Sequence, residues 1–179
     1  VGAAMYIKDP VSGNYVVWNY NTGGSNANGG YIAATQGFWI RTADTTGTAA
    51  SMTLPASQRS HNNASFYKTG EGSFLPQQLM VTIEKEDKAD KTIIGFIDDA
   101  TDSYDGNYDA TYLVGDDDAP SLFSMIEGKQ YAMNHLPSVE KHQIVPLGFV
   151  PVVAGEYTFT AEWMESFEDN IPVYLEDIK

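Results

Sequence analysis

Cysteine is absent from the 179 residues. That removes thiol nucleophiles, disulfides, iron–sulfur clusters and thiolate zinc sites together. Positive charge is scarce too: ten Lys and Arg stand against 24 Asp and Glu, a formal net charge of −14. Such a surface repels phosphate backbones and anionic headgroups, so neither nucleic acid nor a membrane surface is an expected partner. No apolar run approaches the roughly 18 residues of a spanning helix, and membrane insertion is not expected. Nucleophile-elbow, phosphate-loop, zincin and dinucleotide motifs are all missing. His61, His135 and His142 are scattered and read as lone surface histidines. Ser60 and His61 are chain neighbours, which is a poor geometry for a nucleophile and its base. Carboxylate pairs for glycoside hydrolysis cannot be singled out among 24 acids. These absences favour a non-enzymic role and leave the question of an enzyme open.

What is present is period-two alternation punctuated by Gly, Asn, Asp and Pro. Met5–Ile7 and Tyr15–Tyr20 read as a hairpin, turned by Asp9 to Asn14. Gly37–Ile40 reads as a buried strand, and Met52–Leu54 as another. "QLMVTIEK" and "KTIIGFID" form the strongest hairpin, joined by the charged turn from Glu86 to Asp90. Shorter strands follow at Thr111–Val114, Ser121–Met125, Tyr131–Asn134, Ile144–Phe149, Gly155–Trp163 and Val173–Leu175. No segment supports a helix. The expectation is all-β, a β-sandwich or jelly roll in two strand-rich units, residues 1–72 and 73–179.

One segment stands out by charge. Asp98 to Asp118 holds eight aspartates in twenty-one residues. Asp105, Asn107, Asp109 and Asp116 fall at positions 1, 3, 5 and 12 of a calcium-loop pattern. Ala110 stands where that loop wants glycine, and Asp116 is shorter than the usual bidentate glutamate. Two readings stay open. Asp102, Asp105, Asn107 and Asp109 hold Ca2+ in a site that is not an EF-hand. Alternatively, Asp102, Asp105 and Asp109 make Asx turns between strands. Asp116 to Asp118 read as a solvated turn before Pro120.

Aromatics supply the other candidate. Trp18, Tyr20 and Tyr31 flank the loop "NTGGSNANGG". Sugar rings lie flat on exposed Trp and Tyr faces while Asn and Asp read the hydroxyls, so these three are candidate glycan-binding residues. Trp18 and Tyr20 share one face of their strand. Trp39 and Trp163 read as core.

Three stretches, "MYIKDPVSGNYVVWN", "YIAATQGFWIRT" and "FIDDATDSYDGNYDATYL", are followed in order by "YAMNHL", "IVPLGF" and "IPVYLED". Together they resemble the β-sandwich region preceding the C-terminal sorting domain in Bacteroidota proteins exported by the type IX secretion system. The resemblance implies a non-catalytic module of a larger exported protein, adhesin or polysaccharide-degrading enzyme, and carries over no catalytic residue. It also implies strands before Val1 and after Lys179, so that the remainder of a parent polypeptide would complete the sheets. Asp105 to Ala110 matches a family motif that turns into a strand. Asp44-Thr45-Thr46 matches the O-glycosylation pattern of such bacteria, or an ordinary turn.

The expected function is thus an extracellular, secreted or cell-surface accessory module for adhesion, carbohydrate binding or spacing. Its partners would be a glycan or another surface protein. The alternatives are a structural subunit completed by strand exchange, or part of a polysaccharide-degrading hydrolase.

Overall fold

The computed structural model describes residues 2–25, 29–42, 52–61, 75–138, 143–167 and 171–178. Among these residues eleven strands form two sheets, and no helix reaches seven residues. β1 (Ala4–Lys8) and β2 (Tyr15–Asn19) pair antiparallel, flanked by β3 (Gly23–Gly24) and β4 (Trp39–Ile40). Asp9 sets the β1–β2 turn, its Oδ1 accepting the Val11 N–H at 2.9 Å while its carbonyl accepts the Gly13 N–H at 3.1 Å. The expected hairpin is there.

The second sheet contains β5 (Gln78–Lys85), β6 (Lys88–Phe96), β7 (Ala110–Thr111), β8 (Ser121–Ile126), β9 (Lys129–Leu136), β10 (Leu147–Val150) and β11 (Thr158–Glu162). Its path runs β10-β8-β9-β6-β5-β11, with β7 also on β9. β5 and β6 are joined by two residues, Glu86 and Asp87, and Lys88 already pairs with Lys85. The β8–β9 turn has Glu127 and Gly128 both at positive φ, the pattern of a type I′ hairpin. β9 changes partner along its length: Lys129–Tyr131 pair with β8, whereas Met133–Leu136 run parallel to β6.

Burial explains the run of six buried residues that opens β5. Met80 faces a core made with Ala4, Tyr6 and Val17 of the first sheet, Ile93 and Met133 of the second, and Trp163 just past β11. Leu79, Val81 and Ile83 point the opposite way, into a cluster with Leu122, Phe149, Tyr157 and Phe167. A strand covered on both faces loses visible alternation. The two sheets share the first core, and Asn14 ties them further, its Nδ2 donating to the carbonyls of Ala89 and Pro120 at 2.9 Å each. The boundary expected near residue 72 lies outside the described residues, as do Thr45 and His142.

Several expected strands are shorter or missing. Among the described residues Met52–Leu54 and Val173–Leu175 are exposed and lie outside both sheets, and of Thr111–Val114 only Thr111 pairs. Only Trp39 and Ile40 of the "GFWI" strand pair. Trp39 is not core: it is 46% exposed and packs edge-on against Tyr15 at 5.2 Å. Alternation marks what could lie on a sheet but does not supply the neighbouring strand. Trp163 is buried, as expected.

Candidate functional site

Where β1 begins and β2 ends, the two stretches singled out by aromatics and by charge meet. Asn19 is fully buried, and its Oδ1 accepts the Asn21 N–H at 2.9 Å in an Asx turn. The Tyr20 N–H donates to the Ala3 carbonyl at 3.0 Å, and the Tyr20 ring stands 84% exposed. Asn21 then reaches across, its Nδ2 donating to the Asn107 carbonyl at 2.9 Å. The Ala3 N–H adds a second tie, to Gly106 at 3.0 Å. Beside these, Tyr104 stacks on Tyr131 at 5.5 Å, and the Arg41 guanidinium lies 5.3 Å from the Tyr104 ring.

The turn itself is closed by its own acids. Asp105 Oδ1 accepts the Asn107 N–H at 2.9 Å, and the Asp105 carbonyl accepts Tyr108 and Asp109 N–H groups at 3.0 and 2.7 Å. Asp109 is buried; its Oδ2 accepts the Asp105 N–H at 2.7 Å and its Oδ1 the His135 N–H at 2.8 Å. Burial pushes the Asp109 carboxyl up to about 6, against those two bonds.

Behind the turn lies a buried polar joint. His135 has no exposed surface, and its ring sits against Gly95. Gln78 Nε2 is 2.9 Å from His135 Nε2 and donates to the Thr22 carbonyl at 3.0 Å. An amide nitrogen only donates, so Nε2 is the acceptor and the neutral ring carries its proton on Nδ1. Desolvation pulls His135 down to about 4. Asp90 is the other buried acid: it accepts the Tyr112 hydroxyl and the Leu122 N–H at 2.7 Å each and the Lys91 N–H at 2.9 Å. Burial outweighs these three donors and pushes it up to about 7, while Tyr112 is raised by its own burial and by the facing carboxylate.

A family model matches residues 5–179, under the description "Domain of unknown function (DUF8693)". The chain belongs to that family. Curated proteins and solved structures gave no match.

In this DUF8693 chain the residues expected from the sequence fall into three groups. Tyr20 and Tyr31 are exposed, at 84% and 48%, but Trp18 is half-covered, because Gly29 and Gly30 lie against its indole. A Cβ on Gly30 would come within 3.1 Å of Trp18 Nε1. Asp105, Asn107 and Asp109 share one turn, whose hydrogen bonds are those of the Asx-turn reading. Asp102 lines a cleft to which the other three do not contribute. Among the described residues no three His, Asp or Glu are grouped to hold a metal ion.

Two expectations are corrected here. His135 is a core residue of β9 rather than a surface histidine, and Asp90 belongs to β6 rather than to the hairpin turn. Sequence reasoning passed over Gln78 as well. The available signal for two of them was position: Gln78 abuts and His135 interrupts an apolar run, where a polar side chain needs a partner, whereas Asp90 sits in the charged stretch "EKEDKADK" and carried no such signal.

Proposed function

We propose that the chain is a non-catalytic, extracellular β-sandwich module of a larger exported protein, binding neutral glycan through the Tyr20 end. The observation that carries this is the 84% exposed Tyr20 ring, held on an Asx turn beside Asn21 and the Asp105–Asp109 turn. A rigid aromatic face flanked by amide and carboxylate groups is suited to a sugar ring and its hydroxyls. The net charge of −14 argues against uronates or sulfated chains as ligands. The residues with strongly shifted pKa, Asp90, Asp109 and His135, are buried and engaged in structural hydrogen bonds, which favours scaffold over catalysis. Export rests on the sequence resemblance.

Affinity electrophoresis through gels containing neutral polysaccharides tests the reading. Retardation by at least one polysaccharide, lost in Tyr20→Ala with unchanged melting temperature, is the expected result. Equal migration of wild type and Tyr20→Ala in every gel would overturn it.

A second reading, assembly by strand exchange, is favoured by the C-terminal residues. Val173, Tyr174, Leu175 and Ile178 are all exposed on a segment that joins neither sheet, and β11 is paired only with β5 among the described residues. Such an edge can accept another strand. Light scattering that shows mass growing with concentration, suppressed by Tyr174→Pro, would support that reading. A constant monomer mass would remove it.

A further inference from the structure

The buried joint behind the Asp105–Asp109 turn is built so that one proton reverses it. Gln78 opens β5, and its amide is fixed from two sides: Oε1 accepts the Leu75 N–H at 2.9 Å, and Nε2 donates to the Thr22 carbonyl at 3.0 Å. The remaining N–H of that amide faces His135 Nε2 at 2.9 Å, so the ring nitrogen accepts. A proton on that nitrogen would set two donors against each other. Turning the amide over relieves the clash but puts Oε1 against the Thr22 carbonyl and Nε2 against the Leu75 N–H. The neutral ring and the closed joint stand or fall together.

The surroundings of the ring leave the decision to that contact. Asp109 is the titratable side chain bonded to His135, and it takes the backbone N–H at 2.8 Å rather than the ring. β5 and β6 present Gln78 and Gly95, and beyond them the β2–β3 turn presents Thr22; none of the three titrates. Burial keeps the ring neutral, against a backbone hydrogen bond with Tyr108 that favours its charge. The far side of the joint is lightly held. Thr22 is fully buried, yet its Oγ1 has no hydrogen-bond partner among the described residues, and neither has Nδ2 of Asn19 at the other end of the turn. Both atoms gain from reaching water once the turn opens. β3, which follows, is only two residues long and pairs with Trp18 and Asn19, so little ladder opposes the movement.

We propose that His135, Gln78 and Thr22 form an acid-operated latch on the Tyr20 end. Protonation of His135 Nε2 turns Gln78 away from Thr22 and frees the turn at residues 20–22, so the Tyr20 face is held at neutral pH and let go in acid. Its meaning for ligand release rests on the glycan reading of Tyr20; the movement itself does not.

The test is an NMR titration of the 179-residue chain from pH 7 to pH 3. At pH 7 the His135 ring should be neutral with its proton on Nδ1. The ring should titrate near pH 4. The Gln78 side-chain amide, the Thr22 carbonyl carbon and the Tyr20 and Asn21 backbone amides should shift with the same midpoint, while the β5–β6 amides keep their positions. Surface carboxylates titrate in the same range, and Gln78→Glu separates them. A carboxylate accepts from the charged ring and has no donor for Thr22. The variant should therefore raise the His135 midpoint by at least one pH unit and show the open Thr22 and Tyr20 shifts already at pH 7. A neutral ring protonated on Nε2 would overturn the proposal. So would Thr22 and Tyr20 signals that ignore the His135 titration, their loss only together with the whole fold, or an acid step unchanged in Gln78→Glu. Absence of polysaccharide binding at every pH would remove the glycan reading alone, because the latch is read without a ligand.

Discussion

Asp90 should make this protein more stable in mild acid than at neutrality. Its carboxyl is raised from 3.8 to about 7 because it is 97% covered, Leu122, Tyr112 and Lys91 notwithstanding. A folded-state pKa above the unfolded one means the folded chain binds the proton more tightly. The associated stability is complete below pH 3.8 and is lost as the pH rises through 7. Asp109, raised to about 6, acts with the same sign over a narrower window. His135, lowered to about 4, acts oppositely: its contribution is complete above pH 6.5 and is lost as the pH falls toward 4.

Near pH 5 the folded chain therefore holds protons on both aspartates, and the unfolded chain holds one on the histidine. The net difference is about one proton, or roughly 1.4 kcal/mol of stability gained per pH unit of acidification. Asp90→Asn removes one titration and leaves Asp109 and His135 nearly cancelling. Between pH 7 and pH 5, the wild type should gain about 2 kcal/mol relative to Asp90→Asn. Urea unfolding of both proteins at pH 5, 6 and 7 reads this as a difference of differences, in which the common surface charge cancels. Parallel stability curves for the two proteins would refute the argument, because they would mean Asp90 has the same pKa folded and unfolded.

Gly95→Ala drives a Cβ into the His135 ring and toward Gln78 Cγ, with Nε2 only 2.6 Å away. Overpacking of this kind costs about 1–3 kcal/mol, so the melting temperature should drop clearly, and an unchanged value would mean the joint is loose. Asp109→Ala strands the Asp105 and His135 N–H groups, a loss of about 2–5 kcal/mol in urea unfolding. Millimolar Ca2+ should leave the wild-type melting temperature unchanged, since both Asp109 oxygens already accept backbone donors; a rise of several degrees would favour the calcium reading. Replacing Lys8 and Lys88 with Met removes the ion pairs to Asp116 and Asp118 and should cost under about 2 kcal/mol in total, because all four side chains are partly in water.

What was legible in the sequence was whatever is fixed by neighbours. The β1–β2 and β5–β6 hairpins were readable because a turn signal and alternation lie within one short stretch. Asp105 as a turn residue was readable because its partner, Asn107, is two positions away. The buried joint was not, since Gln78 and His135 are 57 residues apart and Asp90 and Leu122 are 32 apart. No local pattern announces that a histidine near the end of "YAMNHL" will meet a glutamine from another strand. The parallel β6–β9 pairing was hidden for the same reason: it needs a crossover between distant strands, not a turn. Trp39 was misjudged because burial of an aromatic depends on what crosses above it.

The crowding of aspartates between Asp98 and Asp118 follows from the job of that segment, which links β6 to β8 while crossing the first sheet. A chain whose only ladder is the two-residue β7 must still satisfy its other backbone N–H groups, and short carboxylates do so locally. Asp105 and Asp109 serve the segment's own turn and β9. Asp116 donates its backbone N–H to Gly13 at 2.7 Å, and its side chain meets Lys8, so it fastens the segment to the β1–β2 hairpin. Asp118 meets Lys88 at the start of β6. Asp98, Asp99, Asp102 and Asp117 remain exposed, each solvated singly. The acids are thus spread along a strap rather than gathered on one point. Like charges so placed keep most of their hydration, and their mutual repulsion is screened over the length of the segment. A single cation could relieve only the few acids nearest it, and two of the nearest in the turn are already bonded to the chain.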